Sequence, residues 1–133
     1  GRAQQMLSQL YFYYMDHVDE LPQEYLNFLD AGEKVRGYEV DRRLKERFEQ
    51  LGCAQYLMHR TGHNIGHRCH GIGANLDDYE THDDRCLLPG TMFSIEPGLY
   101  TDKYGVRLEY DVHITSEGET KVYGPVQDEI LVI

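Results

Sequence analysis

No run in the sequence approaches the ~20 consecutive apolar residues that a membrane-spanning helix requires, so no membrane partner is expected. Basic residues are scarce: 13 lysines and arginines face 23 acidic residues, for a net charge of −10. That balance argues against a phosphate-backbone partner such as nucleic acid and favours solubility or cation binding. Cysteines are few. Cys53, Cys69 and Cys86 are odd in number and lack C-x-x-C spacing, which disfavours a disulfide framework or a zinc knuckle and points to a reducing, cytoplasmic setting. The opening stretch, GRAQQMLSQL, has no basic region followed by an apolar stretch and a small-residue cleavage site, so it raises no expectation of secretion. Repeats, low-complexity tracts and linkers are absent, and a chain of 133 residues is read as a single domain, 1–133, with one core.

From Gln4 to about Glu20, Leu7, Leu10, Tyr11, Tyr14, Met15 and Val18 recur at helical spacing, and QEYLNFLDAG reads as a short helical continuation closed by Gly32. The segment YEVDRRLKERFEQLG puts Val40, Leu44, Phe48 and Leu51 on one face, with Gly52 just past the end. Its charged face, Asp41 to Glu49, is expected to be solvated. ANLDDYETHDDRCLLPG reads as an irregular surface segment ending in a Pro89-Gly90 turn; Asp77, Asp78, Asp83 and Asp84 lack the spacing of a calcium loop and are expected to be solvated. From Thr91 the period becomes that of strands. TMFSIEPG is a short apolar run closed by Pro97-Gly98, and GVRLEYDVHIT alternates strictly, with Val106, Leu108, Tyr110, Val112 and Ile114 on one face. SEGET is a hairpin turn, and KVYG and DEILVI supply closing strands. Helices first and an antiparallel sheet afterwards define an α+β class.

The stretch His59–Gly73, HRTGHNIGHRCHGIG, holds His59, His63, His67 and His70 among four glycines. His59 and His63 are four apart, as in helical zinc sites, but a helix through Gly62 and Gly66 loses roughly 1 kcal/mol at each, and the glutamate of H-E-x-x-H is missing. The glycines suit backbone that turns sharply or approaches a ligand closely. A metal or catalytic role and a polar loop both stay open on this stretch alone. Cys69 is a candidate soft ligand, although a half-buried inert thiol is the commoner outcome. Further on, Glu96 ends an apolar strand and Glu109 sits on the polar face of the next, beside Arg107 and Asp111. Two such carboxylates on neighbouring strands with a nearby histidine make an N,O,O set suited to Mn²⁺, Fe²⁺, Co²⁺ or Zn²⁺.

In order, HRTGHNIG with His70, LLPGTMFSIEPGLY and GVRLEYDVHIT resemble the C-terminal half of the pita-bread metallopeptidases (the creatinase, aminopeptidase P and methionine aminopeptidase group), Xaa-Pro dipeptidase (prolidase) and aminopeptidase P in particular. The resemblance runs from about Gly32 to the C-terminus. It implies half of a pita-bread fold, with N-terminal helices packed on a curved antiparallel sheet. It also implies hydrolysis of the bond before a proline in the second position of a peptide, with two divalent cations in the full enzyme, Mn²⁺ first among them. By position, His63, Glu96 and Glu109 fall on metal ligands, Glu96 also relaying the proton of the attacking water. His59 and His70 fall on the histidines that hold the substrate carbonyl, and Arg107 on an arginine behind the ligands. His67 matches no functional position, and Tyr110 stands where the group often has aspartate. The group's site also takes two aspartates from strands that precede the first helix, and this chain opens with that helix; Asp16 and Asp19 lie on the helix itself. The expectation is therefore part of a catalytic domain, binding at most one cation weakly, with little or no hydrolysis alone and a homodimer covering the exposed face. Two rival readings share the fold: a creatinase-like metal-independent hydrolase and a non-catalytic binding module.

Overall fold

The structure, a computed structural model, describes residues 34–124. The helices expected before Gly32 and the strand expected at DEILVI lie outside the described residues. Helix α1, Gly37–Gln50, is the expected amphipathic helix. Glu39 reaches back to accept the Arg36 backbone N–H at 2.7 Å, which closes one side of the first turn. The helix stops where Gly52 takes a φ of 72°, so that the Cys53 N–H reaches the Phe48 carbonyl and the Gly52 N–H that of Glu49. A single 3₁₀ turn, Ala54–Tyr56, leads into the histidine segment.

Six strands follow: β1 Asn64–Ile65, β2 Met92–Ile95, β3 Gly98–Tyr100, β4 Gly105–Arg107, β5 Tyr110–Ile114 and β6 Thr120–Tyr123. All pairings are antiparallel, in a four-stranded sheet of order β1-β2-β5-β6 and a two-stranded sheet of β3 and β4. The two sheets share one register. Ile95 faces Tyr110 in the first and Gly98 faces Arg107 in the second, so β2–β3 and β4–β5 are the arms of one long hairpin interrupted at Glu96-Pro97 and Leu108-Glu109. Pro97 explains the interruption: Leu108 donates to its carbonyl at 3.3 Å, but Pro97 has no N–H to return.

Two expectations are corrected here. Pro97-Gly98 does not close the strand; the chain runs straight on through β3, and the reversal comes at Thr101–Tyr104, where the Thr101 N–H donates to the Tyr104 carbonyl at 2.9 Å. GVRLEYDVHIT keeps its inside-outside alternation but is two strands, not one.

α1 buries Val40, Leu44 and Phe48. Val40 joins Leu76, Phe93, Val112 and Ile114 over the four-stranded sheet, while Leu44 and Phe48 join Cys53 and Leu99 over the hairpin tip. Each such side chain contributes roughly 1.5–3 kcal/mol by leaving water. The charged face of α1 is not all solvated. Asp41 is 7% exposed, and its Oδ1 accepts the Thr61 N–H at 2.8 Å and the Thr61 hydroxyl at 2.5 Å, while Oδ2 accepts the Asp78 N–H at 2.7 Å. Burial is the main influence on its carboxyl and raises its pKa.

The acidic segment is also corrected in part. Asp77 and Asp83 are buried. Asp77 Oδ1 gathers the N–H groups of Tyr79, Glu80 and Thr81, and Asp83 holds the Asn75 N–H and the Arg85 side chain. Short carboxylates that satisfy several loop N–H groups substitute for regular structure here. The Pro89-Gly90 turn stands as expected, with Gly90 at φ 82° and the Thr91 N–H on the Leu88 carbonyl. No helix among the described residues is long and apolar enough to cross a membrane.

Candidate metal centre

The histidine segment runs into the short strand Asn64–Ile65 and bends from Gly66 to His70, with no helical turn. It lies between β2 and the 75–76 backbone: Gly62 exchanges hydrogen bonds with Leu76 on one side, while His63 and Thr61 accept the Ser94 and Glu96 N–H groups on the other, at 2.9 and 2.7 Å. A Cβ at Gly62 would come within 1.9 Å of the Ser94 carbonyl oxygen, so only glycine permits this approach. The register then sets the site. His63 stands across from Ser94, two residues from Glu96, and Glu96 stands across the interrupted hairpin from Glu109. Residues opposite one another in antiparallel strands share a face, as do residues two apart, so one imidazole and two carboxylates fall on the same side.

His63 is 5% exposed. Its Nδ1 lies 3.1 Å from the Asn64 carbonyl, an acceptor only, so Nδ1 is the donor there and Nε2 is the nitrogen turned to the site. Nε2 lies 3.2 Å from Glu96 Oε1. The Ser94 hydroxyl, 1% exposed as a residue, accepts the His63 N–H at 3.0 Å and donates to Glu96 Oε1 at 3.0 Å. Arg107 spans the carboxylates, 3.8 Å from Glu96 Oε2 and 3.0 Å from Glu109 Oε2. Glu109 is the open end of the site, its side chain 46% exposed.

The donor types suit a divalent cation, although the ligand atoms of His63, Glu96 and Glu109 do not all lie within 4.8 Å of one another. Two carboxylates in facing register repel one another unless a positive charge lies near them, and here the Arg107 guanidinium supplies one. The Nε2 lone pair directed at a carboxylate oxygen likewise needs a cation or a proton in the gap. The donors are one imidazole nitrogen and carboxylate oxygens, the mixture borderline first-row ions accept. Asn64 braces His63, Ser94 braces Glu96, and Arg107 neutralises Glu109.

The remaining expected residues are placed around this set. His70 is exposed and its ring centroid is 4.1 Å from that of His63. His59 is half-buried; Nδ1 lies 2.7 Å from the Arg60 carbonyl, so Nε2, at 2.8 Å, accepts the Tyr100 hydroxyl proton. His67 is exposed. Cys69 is exposed rather than half-buried. Sequence reasoning missed Ser94, Tyr100, Thr61 and Asp41. The two-residue spacing of Ser94 and Glu96 along a strand was a readable signal for the first; the others depend on contacts between elements far apart in the chain.

The α+β arrangement is that of half a pita-bread fold. The chain belongs to metallopeptidase family M24, whose profile matches residues 14–116. It is 36% identical over 90 residues to a probable dipeptidase PepE of Mycobacterium tuberculosis, covering 66% of this chain and 23% of that protein. It is 32% identical over 85 residues to a Xaa-Pro dipeptidase of Pyrococcus furiosus, covering 63% of this chain and 23% of that one. Among solved structures, the Xaa-Pro dipeptidase from Bacillus anthracis superposes with a TM-score of 0.63 at 34% identity, over 74% of this chain and 27% of that chain. The dipeptidase PepE from Mycobacterium ulcerans does so with a TM-score of 0.61 at 30% identity, over 71% and 25%. The chain thus spans about a quarter of the length of the relatives it matches.

Proposed function

We propose that this chain is the C-terminal part of the catalytic domain of a metal-dependent exopeptidase that cleaves the bond before a proline in the second position of a peptide. The observation that carries the reading is the strand register that sets His63, Glu96 and Glu109 on one face at the break in the hairpin, with His63 Nε2 3.2 Å from Glu96 and Arg107 reaching both carboxylates. These three residues would hold a divalent cation, Mn²⁺ before Co²⁺, Zn²⁺ or Fe²⁺, and a second cation would be held with ligands from outside this chain. A cation in this position acidifies water and polarises the scissile carbonyl.

The protein's own groups do the rest. Glu96 takes the proton of the attacking water and returns it to the leaving amine; the Ser94 hydroxyl on its Oε1 and Arg107 near its Oε2 fix its orientation. His70, beside His63, and the His59–Tyr100 pair direct donors at the substrate carbonyl, where hydrogen bonds strengthen as negative charge develops. With Nδ1 committed to the Arg60 carbonyl, His59 supplies a donor once Nε2 carries a proton; that N–H then goes to the Tyr100 oxygen and frees the Tyr100 hydroxyl proton for the substrate carbonyl. Arg107 balances the charge of Glu109 and helps seat the substrate.

Free thiols at Cys53, Cys69 and Cys86 support a reducing, cytoplasmic setting. Exposed Leu88, Val122 and Tyr123 support a homodimer in which a second copy covers them.

The test is hydrolysis of matched dipeptides with proline or alanine second, by the chain supplied with Mn²⁺. Slow turnover restricted to the proline substrate, lost with chelator and with Glu96→Gln, is expected. Turnover that survives chelation supports the creatinase-like reading and contradicts this one.

A further inference from the structure

The loop that follows His63 carries a thiol, Cys69, that the proposed reaction does not use. Three ligand atoms, one each from His63, Cys69 and His70, lie within 4.8 Å of one another. The arrangement is braced. The Gly71 N–H donates to the Asn64 carbonyl at 2.7 Å and the Gly73 N–H to Asn64 Oδ1 at 3.0 Å, while Asn64 Nδ2 donates to the Met92 carbonyl at 3.0 Å. A tight turn, Gly66 N–H to the Arg68 carbonyl, closes the other end. Cys69 and His70 are therefore folded back against a strand residue rather than left on a free loop. His70 lies over His63 at 4.1 Å, and Cys69 is a free, exposed thiol.

We propose that His63, Cys69 and His70 form a second cation site, selective for soft ions such as Zn²⁺ and Cd²⁺ and mutually exclusive with the carboxylate site. Zinc–ligand bonds of roughly 2.0–2.3 Å place tetrahedral donors about 3.3–3.8 Å apart, so the loop has only to close by about 1 Å. The fourth position faces solvent. Binding forms a metal–sulfur bond and releases the Cys69 thiol proton to water, so affinity rises with pH. Ligand softness separates the two sites: thiolate and imidazole take Zn²⁺ or Cd²⁺, whereas Mn²⁺ prefers carboxylates.

Exclusivity follows from His63. Its Nδ1 is committed to the Asn64 carbonyl, which leaves one lone pair and hence one ion at a time. A soft cation held by Cys69 and His70 withdraws His63 from Glu96 and Glu109. Excess zinc thereby becomes an inhibitor acting through a residue that the reaction itself does not need. The binding claim stands on the cluster alone; only this inhibitory consequence rests on the role proposed above for His63.

The test is titration of the reduced full chain with Cd²⁺ alone, followed by the ultraviolet thiolate-to-metal charge-transfer band. A band that saturates at one equivalent, disappears in Cys69→Ser and persists in Glu96→Gln is expected. His70→Ala should weaken the affinity by roughly tenfold or more, since disturbing even the partners of metal ligands costs that much. Mn²⁺ should give no such band, and its affinity should be the same in Cys69→Ser as in the native chain. Absence of the band, its survival in Cys69→Ser, or its loss in Glu96→Gln would overturn the proposal. Because the readout is thiolate absorbance, an inactive or non-peptidase chain that still shows the band would count against the proposed reaction and not against this site.

Discussion

At the scale of single residues, short carboxylates buried under loops do more than composition suggests. Arg85 forks onto Asp83, at 2.9 Å through Nε to Oδ1 and 2.6 Å through a terminal nitrogen to Oδ2, and holds the Asp83 carboxyl down at about 2, below its ordinary 3.8. A carboxyl whose pKa is lowered by folding stabilises the protein fully above the unfolded value and loses that contribution as pH falls through the folded one. Asp83→Asn should therefore cost about 1–2 kcal/mol at pH 7, the exposed half of Arg85 being screened by solvent. The cost should fade between about pH 4 and pH 2. Urea unfolding of both proteins across that range checks it; a cost independent of pH would contradict it.

Residues of this kind were only half legible in advance. The acidic run from Asp77 to Asp84 looks solvated because charge composition carries no record of which N–H groups lack partners. Asp77, fully buried under its own loop, shows why: three backbone donors within four residues of it have no strand or helix to satisfy them. Asp41 was hidden differently, since a charged position on an amphipathic helix is normally wet, and only the return of Thr61 across α1 buries it.

At the scale of elements, the helix period of α1 and the strand alternation from Val106 to Ile114 were read correctly from local pattern, because one buried face imposes its period on the sequence. The break in the long hairpin was not. Pro97-Gly98 has the composition of a turn, yet the shared register on both sides keeps the strand direction, and the missing N–H of Pro97 opens the ladder instead. That opening stands where Glu96 and Glu109 face each other. Pro97→Ala should restore a donor toward Leu108 and narrow the gap. The added hydrogen bond, about 0.5–1.5 kcal/mol, is offset by the greater freedom of the unfolded chain, so the melting temperature should change by only a few degrees. Mn²⁺ affinity should fall several-fold. Unchanged affinity would mean that the ladder break does not set the spacing of the carboxylates.

At the scale of the whole molecule, the chain carries a histidine–glutamate–glutamate set but spans about a quarter of the length of its relatives in metallopeptidase family M24. Residue order along the sequence made the family legible, because three motifs in fixed sequence are far more specific than any one of them. What lies across the open side of Glu109 was not legible, since an exposed surface carries no pattern that names its partner. A homodimer in the proposed form should sediment at twice the chain mass at micromolar concentration, and a stable monomer there would contradict it.

Metal binding by His63, Glu96 and Glu109 is the claim on which the proposed reaction depends, and calorimetric titration of the metal-free chain with Mn²⁺ tests it most directly. The account predicts a single weak site, lost in His63→Ala and in Glu109→Gln and retained in His67→Ala, whose imidazole is exposed. An isotherm unchanged by His63→Ala would contradict it.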